Sequence, residues 1–291
     1  MGFQRVTPIN DIRCALGEGA FWHPARAEFF WFDITGRKLH SLARSWDFDE
    51  MPSAMGWISA DEVVIATETR LMVFDLDSGT GRTLCALEAD SAVTRSNDGR
   101  ADPQGGFWIG TMGKRAQKGA GSIWRYHQGE LRRLYAGLTI PNAISFAPDG
   151  QSACFTDTVT RQVMRVALDA EGWPSGAPDC WLDLTADALN PDGAVFDAAG
   201  IFWVAQWGAG RVAGYAPDGA LFGTVAFPAP HSSCPAFGGE TLSDLYCTTA
   251  RQGRNTPTPL DGATFKTRTP ARGIAEPRIW LHDDSAVRYN A

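Results

Sequence analysis

The stretch from Arg95 to Met112 reads Arg-Ser-Asn-Asp-Gly-Arg-Ala-Asp-Pro-Gln-Gly-Gly-Phe-Trp-Ile-Gly-Thr-Met, a polar head, a turn and a short apolar run. Asp102-Pro-Gln-Gly-Gly is a turn signal, and Phe107-Trp-Ile reads as a buried strand leaving it. Arg95, Asn97 and Asp98 stand ahead of the turn, where a loop or strand end would place them. The same pattern recurs along the chain. It starts again at Glu18 (Glu-Gly-Ala-Phe-Trp-His-Pro), at Asn142 (Asn-Ala-Ile-Ser-Phe-Ala-Pro-Asp-Gly) and at Asp192 (Asp-Gly-Ala-Val-Phe-Asp-Ala-Ala-Gly). Six positions after each start come Pro24, Pro103, Pro148 and Ala198, and Gly105, Gly150 and Gly200 follow two later.

A degenerate copy with a shortened turn fits at Ala54, and a sixth begins near Ser232. Each copy continues with a second strand: Lys38 to Leu42, Leu71 to Asp75, Ser122 to Tyr126, Gln162 to Ala167 and Arg211 to Tyr215. Six units of about 40 to 50 residues predict an all-β fold, a six-bladed β-propeller with four-stranded antiparallel blades. The approximate blades are 15–50, 51–92, 93–136, 137–183, 184–227 and 228–291 plus 1–13, one domain over 1–291. The segment Arg5 to Asp11 lies outside the first repeat and is expected to close the ring as the outer strand of the last blade, which removes exposed sheet edges. No run of ten or more residues carries helical periodicity, which argues against a doubly wound α/β fold. Asn255 to Asp261, with two prolines, reads as a surface loop of the last blade.

Composition agrees with many short aromatic strands and tight turns: 11 Trp and 16 Phe stand beside 31 Gly and 17 Pro in 291 residues. A net charge of −7 with no basic run argues against a nucleic-acid partner. The amino terminus has no signal-peptide pattern and no run of eighteen apolar residues occurs, so the expectation is a cytoplasmic protein without membrane attachment. Six cysteines without Cys-x-x-Cys spacing read as buried free thiols.

In a propeller, the residues that start successive innermost strands form a ring about the central axis. Here they are Glu18, Asn97, Asn142 and Asp192. Acidic and amide oxygens converging in a channel suit one hard divalent cation, Ca²⁺, Mg²⁺ or Mn²⁺, with Zn²⁺ or Fe²⁺ compatible. Taken singly, such Asn and Asp residues often serve only their own turns. Their coincidence at one repeat position favours a cation site, because clustered buried carboxylates are costly unless a cation compensates them. Asp98 is expected to cap the turn before Gly99, and His23 to lie on the outer surface. Trp22 and Trp207 are candidates for the channel wall or the inter-blade core. His23, His40, His127, His231 and His282 show no metal-ligand spacing, and no nucleophile elbow is present.

Leu16-Gly-Glu-Gly, Arg95-Ser-Asn-Asp-Gly-Arg-Ala-Asp-Pro-Gln-Gly with Gly110-Thr-Met, Pro141-Asn, Pro191-Asp-Gly and Phe237-Gly-Gly fall in order across nearly the whole chain. Together they resemble the gluconolactonase and regucalcin-like (senescence marker protein) family of sugar lactonases. The resemblance implies a six-bladed propeller that binds one divalent metal and hydrolyses a sugar lactone to the aldonic acid. It implies Glu18, Asn142 and Asp192 as metal ligands and Arg95 and Asn97 as substrate contacts. Where mammalian members carry a substrate-contacting Glu after Gly-Thr-Met, this chain has Arg115, also a candidate substrate contact, so sugar choice does not carry over. Gly119-Ala-Gly121 would give flexibility to a lid over the channel.

On that chemistry the metal would act as a Lewis acid on the lactone carbonyl, with Asp192 as ligand and general base. The partner is then a small sugar lactone, and the protein a monomer or weak dimer. The alternatives are an esterase or organophosphate hydrolase using the same metal, or a propeller that only binds a metal or a protein partner.

Overall fold

The computed structural model describes residues 5–281. His282, and both ends of the last expected blade span at 1–4 and 282–291, lie outside the described residues. Six four-stranded antiparallel sheets form a closed ring, and helical structure among the described residues is limited to a 3-10 turn at Thr158–Thr160. The innermost strands are Gly17–His23, Ala54–Trp57, Thr94–Ala101, Pro141–Phe146, Asn190–Phe196 and Ser232–Gly238. The polar head of each repeat is itself this innermost strand. The runs expected as second strands, Lys38–Ser41, Arg70–Asp75, Gly121–His127, Gln162–Leu168 and Arg211–Tyr215, are therefore the third strand of each blade.

Ring closure follows the expected route. Thr7–Pro8 pairs antiparallel with Phe265–Arg268, Thr7 opposite Lys266 and Pro8 opposite Phe265, as the fourth strand of the last blade. A proline is tolerated there because an edge strand needs no donor on its outer side.

The blades hold together through their faces. Successive side chains of a strand point to opposite faces, so Glu28-Phe-Phe-Trp-Phe-Asp33 feeds two interfaces at once. Phe29 and Trp31 pack with Ala236 and Tyr246 of blade 6, whereas Phe30 and Phe32 pack with Val63 and Ile65 of blade 2. Six such clusters occur, one between each pair of neighbouring blades. Burying one side chain of this kind contributes about 1.5–3 kcal/mol. That is why the second strands read as continuous apolar runs rather than alternating ones.

His23 belongs to this core and not to the outer surface: it is fully buried, with Phe21, Phe30 and Trp57 rings around it at 5.8–6.2 Å. Burial pushes its imidazole down to about 4. All six cysteines are free, but Cys85 is half-buried and Cys180 exposed. Both sit on outermost strands, Gly81–Ala86 and Pro174–Asp183, where no further strand covers them.

One end of the channel is closed by the segment after the last strand. Arg272 O accepts from Ala198 N at 2.8 Å, Ile279 N donates to Trp57 O at 2.9 Å, and Trp280 N donates to Gly105 O at 2.9 Å. Between these points Glu276 forms an ion pair with Arg100, which also donates to Ala194 O across the axis at 3.2 Å. Glu276 O takes the indole N–H of Trp57 at 2.7 Å. The segment thus ties blades 2, 3 and 5 together beneath the channel. No helix among the described residues is long and apolar enough to cross a membrane.

Candidate active site

At the other end the channel opens into a cavity of about 380 Å³. Glu18, Arg95, Asn97, Arg115, Asn142 and Asp192 all line it. The device that aims the inner residues is a bulge. In five blades the ladder between the first and second strands slips by one residue, after Glu18, Ser96, Asn142, Pro191 and Ser232. Blade 2 pairs regularly and has no such slip, which is the structural counterpart of its degenerate repeat. A bulge bends the strand and re-aims a side chain.

The ring is not in one register. Glu18 and Asn142 are the last paired residues before their bulges, whereas Asn97 and Asp192 lie inside theirs. On a regular strand that one-residue offset would turn two of the four to the opposite face. The extra residue of the bulge absorbs the offset. The distortion is visible at Gly19 and Ala143, with φ of 55° and 56°. For alanine that left-handed conformation is strained, and strain of this kind concentrates at functional sites.

A hydrogen-bonded chain then locks the polar groups across three blades. Arg95 Nη1 donates to Ser96 O at 2.7 Å and to Asn97 Oδ1 at 2.9 Å. Asn97 Nδ2 donates to Pro141 O at 3.0 Å and to Asn142 Oδ1 at 2.8 Å. Asn142 Nδ2 donates to Thr158 Oγ1 at 2.9 Å, and Thr158 Oγ1 to Pro191 O at 2.8 Å, the residue before Asp192. The amide orientations of Asn97 and Asn142 follow from these partners.

Asp98 meets the backbone N–H of Gly99, as expected of a turn cap, and also reaches beyond its own turn. Its Oδ2 accepts from Ile144 N at 2.8 Å, so it pins the bulge of the next blade. It also lies close enough to Glu18 and Asp192 to raise the proton affinity of both.

Electrostatics single out the two carboxylates. Glu18 and Asp192 are buried and form no salt bridge among the described residues. Burial, reinforced by Asp98, pushes Glu18 up to about 8. Burial and then Glu18 raise Asp192 well above the usual carboxylate range, and burial lifts Asp98 to about 6. Arg95 is drawn down to about 10 by burial, against the opposing pull of Glu18 and Asp192. Buried carboxylates without a compensating cation are costly. Two of them beside the Asn142 amide make an all-oxygen donor set that fits a hard divalent ion. Among the described residues no three His, Cys, Asp or Glu side chains form a metal cluster. Those residue types include no amide, and the third oxygen of this set belongs to the Asn142 amide.

The cavity wall comes from places the repeat does not mark. Thr35, Lys114 to Ala116, Thr158, Trp207 and Gln252 stand at or just past the ends of second strands. These connections differ in length and composition between blades, so no repeat signal reveals them; only the short spacing from the second strand to the third points there. Trp207 lines the cavity and stacks on His231 with ring centroids 4.2 Å apart. Trp22 does not reach the cavity. It stacks on Tyr246 at 6.1 Å, in the interface of blades 1 and 6.

Sugar lactone lactonase activity is ascribed to a Rhizobium meliloti (strain 1021) protein 39% identical over 284 residues, covering 94% of this chain and 96% of that one. The 6-deoxy-6-sulfogluconolactonase of Pseudomonas putida is 31% identical over 273 residues, 90% of this chain and 94% of its own. The crystal structure of regucalcin from Agrobacterium tumefaciens str. C58, described as a calcium-binding protein, matches with a TM-score of 0.92 at 37% identity, over 94% of this chain and 97% of that one. Residues 16–251 match the SMP-30/Gluconolactonase/LRE-like region, and the chain belongs to that family.

Proposed function

We propose that this protein is a hydrolase that opens a sugar lactone to the aldonic acid, using one divalent cation held by Glu18, Asn142 and Asp192. The observation that carries the proposal is the pair of buried, uncompensated carboxylates facing a sugar-sized cavity, next to a fixed arginine. The lactonase relatives support the substrate class. A cation bound there supplies Lewis-acid polarisation of the lactone carbonyl.

The chain's own residues do the rest. Asp192, ionised once its charge is compensated, takes a proton from the water that adds to the carbonyl carbon. The ring C–O bond then breaks, and the departing ring oxygen receives a proton to become a hydroxyl of the product. Arg95 spends Nη1 on Ser96 O and Asn97 Oδ1, which leaves Nε and Nη2 to hold sugar oxygens and the new carboxylate. Asn97 fixes Arg95 on one side and Asn142 on the other, so substrate and cation positions are set by one side chain.

Asp192→Asn is the direct test. It keeps the shape but removes the base, and turnover should fall by about 10²–10⁴-fold, the range for loss of a positioned general base, with the circular dichroism spectrum unchanged. Full lactone turnover by that variant would end the assignment of Asp192.

A further inference from the structure

We infer that Arg115 selects lactones that carry a second functional group, a carboxylate, at the end of the molecule remote from the reacting carbonyl. The inference rests on lactone hydrolysis in the cavity described above. The charged groups of that cavity stand at two depths, and the buried guanidinium of Arg95 already serves the inner one. Glu18 and Asp192 are buried near the axis, whereas Arg115 is exposed at the mouth on the loop between Phe107–Gly113 and Gly121–His127.

Arg115 is also the cation at the mouth left unspent. Its neighbour Lys114 forms an ion pair with Glu68 and donates to Ala92 O at 3.1 Å. Arg115 makes no ion pair among the described residues; its backbone N–H, not its guanidinium, donates to Gln117 Oε1 at 3.0 Å. The loop that presents it is built rather than loose. Lys114 N donates to Val93 O at 2.8 Å, Ala116 N to Gly113 O at 2.7 Å, and Gly119 N to Thr139 Oγ1 at 3.2 Å.

A lactone whose carbonyl lies by Glu18 and Asp192 points its other end outward. A neutral hydroxymethyl there would leave the guanidinium merely solvated. A carboxylate would meet it in a charge-assisted, two-point contact that arginine favours.

The test is kinetic. A neutral hexonolactone and its counterpart with a carboxylate in place of the terminal hydroxymethyl are compared for the wild-type protein, Arg115→Gln and Arg115→Lys. The expected result is that Arg115→Gln lowers the ratio of kcat/KM for the anionic over the neutral lactone about tenfold, as for loss of one hydrogen bond to a charged group, chiefly through KM. Arg115→Lys should restore part of it, and added salt should depress the wild-type ratio. A ratio unmoved by Arg115→Gln overturns the inference, as does a wild-type preference for the neutral lactone.

Turnover of neither lactone would instead refute the hydrolase reading. Calorimetric binding of the corresponding dicarboxylate then decides the role of Arg115 separately: binding about tenfold weaker in Arg115→Gln upholds it, and equal binding overturns it.

Discussion

Stripping divalent ions from the protein should make its stability fall as the pH rises from about 4.5 to about 8, opposite to the behaviour of a protein held by ionised carboxylates. The sign follows from the folded state holding its protons more tightly. Below about 4.5 Glu18 is protonated in both folded and unfolded chains and contributes no difference. Above that the unfolded chain ionises, whereas burial and Asp98 keep the folded carboxyl neutral up to about 8. From the ordinary value of 4.5 to about 8, at ~1.4 kcal/mol for each tenfold gain in proton affinity, Glu18 alone corresponds to a loss on the order of 5 kcal/mol. At about 2 °C per kcal/mol for a chain of this size, the melting temperature should drop by roughly 10 °C. Asp98 and Asp192 are displaced in the same direction. Thermal unfolding followed by circular dichroism at half-unit pH steps, after chelation and dialysis, measures the slope. Glu18→Gln, which cannot ionise, should flatten it, and a divalent ion at about 100 times its Kd should return about 2.7 kcal/mol at the alkaline end. A metal-free protein whose melting temperature is level or rises over this range, with the same profile in Glu18→Gln, would refute the reasoning.

Asn97→Ala should weaken divalent-ion affinity about 10- to 100-fold, because Asn142 Oδ1 loses the donor that orients it. It should also reduce kcat/KM by up to about 100-fold through a misplaced Arg95; metal titration and lactone kinetics on the same preparation separate the two. Asp102→Ala should cost roughly 3–5 kcal/mol in denaturant unfolding. It strands Arg125, whose pairing with Asp102 at 2.6 Å is fully buried, and leaves the Gln104 and Gly106 amides without their acceptor. A shift in the urea midpoint worth less than about 1 kcal/mol would mean the pair is solvated in solution.

The propeller is legible in the sequence because its turn chemistry repeats: Asp-Pro-x-Gly and its variants recur where each blade needs a turn, and the apolar second strands follow at fixed distance. Ring closure by the amino-terminal segment is legible for the same reason, since Arg5 to Asp11 has no place in the first repeat. The polar heads are legible as candidates and, less accurately, in geometry. Aligning Glu18 with Asn97 and Asp192 treats the strands as regular, whereas bulges set Asn97 and Asp192 one step away from Glu18 and Asn142 in register.

Some features depend on a neighbour that local sequence does not reveal. Asp98 looks like a turn cap alone because Gly99 follows it, yet its further partner Ile144 is 46 residues away. His23 looks peripheral because Pro24 follows it, yet Trp57 of the next blade covers it. The closing segment around Glu276 carries no repeat pattern, and its partner Arg100 lies 176 residues earlier. Arg115 is visible in sequence as a departure from a family pattern; that its charge is left uncompensated emerges only once Lys114 is seen to take Glu68.

The most direct measurement is acid release, followed with a pH indicator, from a panel of aldonolactones given to protein that has been chelated and then reloaded with Ca²⁺, Mg²⁺, Mn²⁺, Zn²⁺ or Fe²⁺ in turn. The predicted result is rapid opening of at least one lactone above its spontaneous rate, abolished by chelation and restored by at least one of these ions. Undiminished lactone opening by the chelated protein would contradict the metal site, and hydrolysis of a phosphotriester with no lactone opened under any ion would contradict the lactonase.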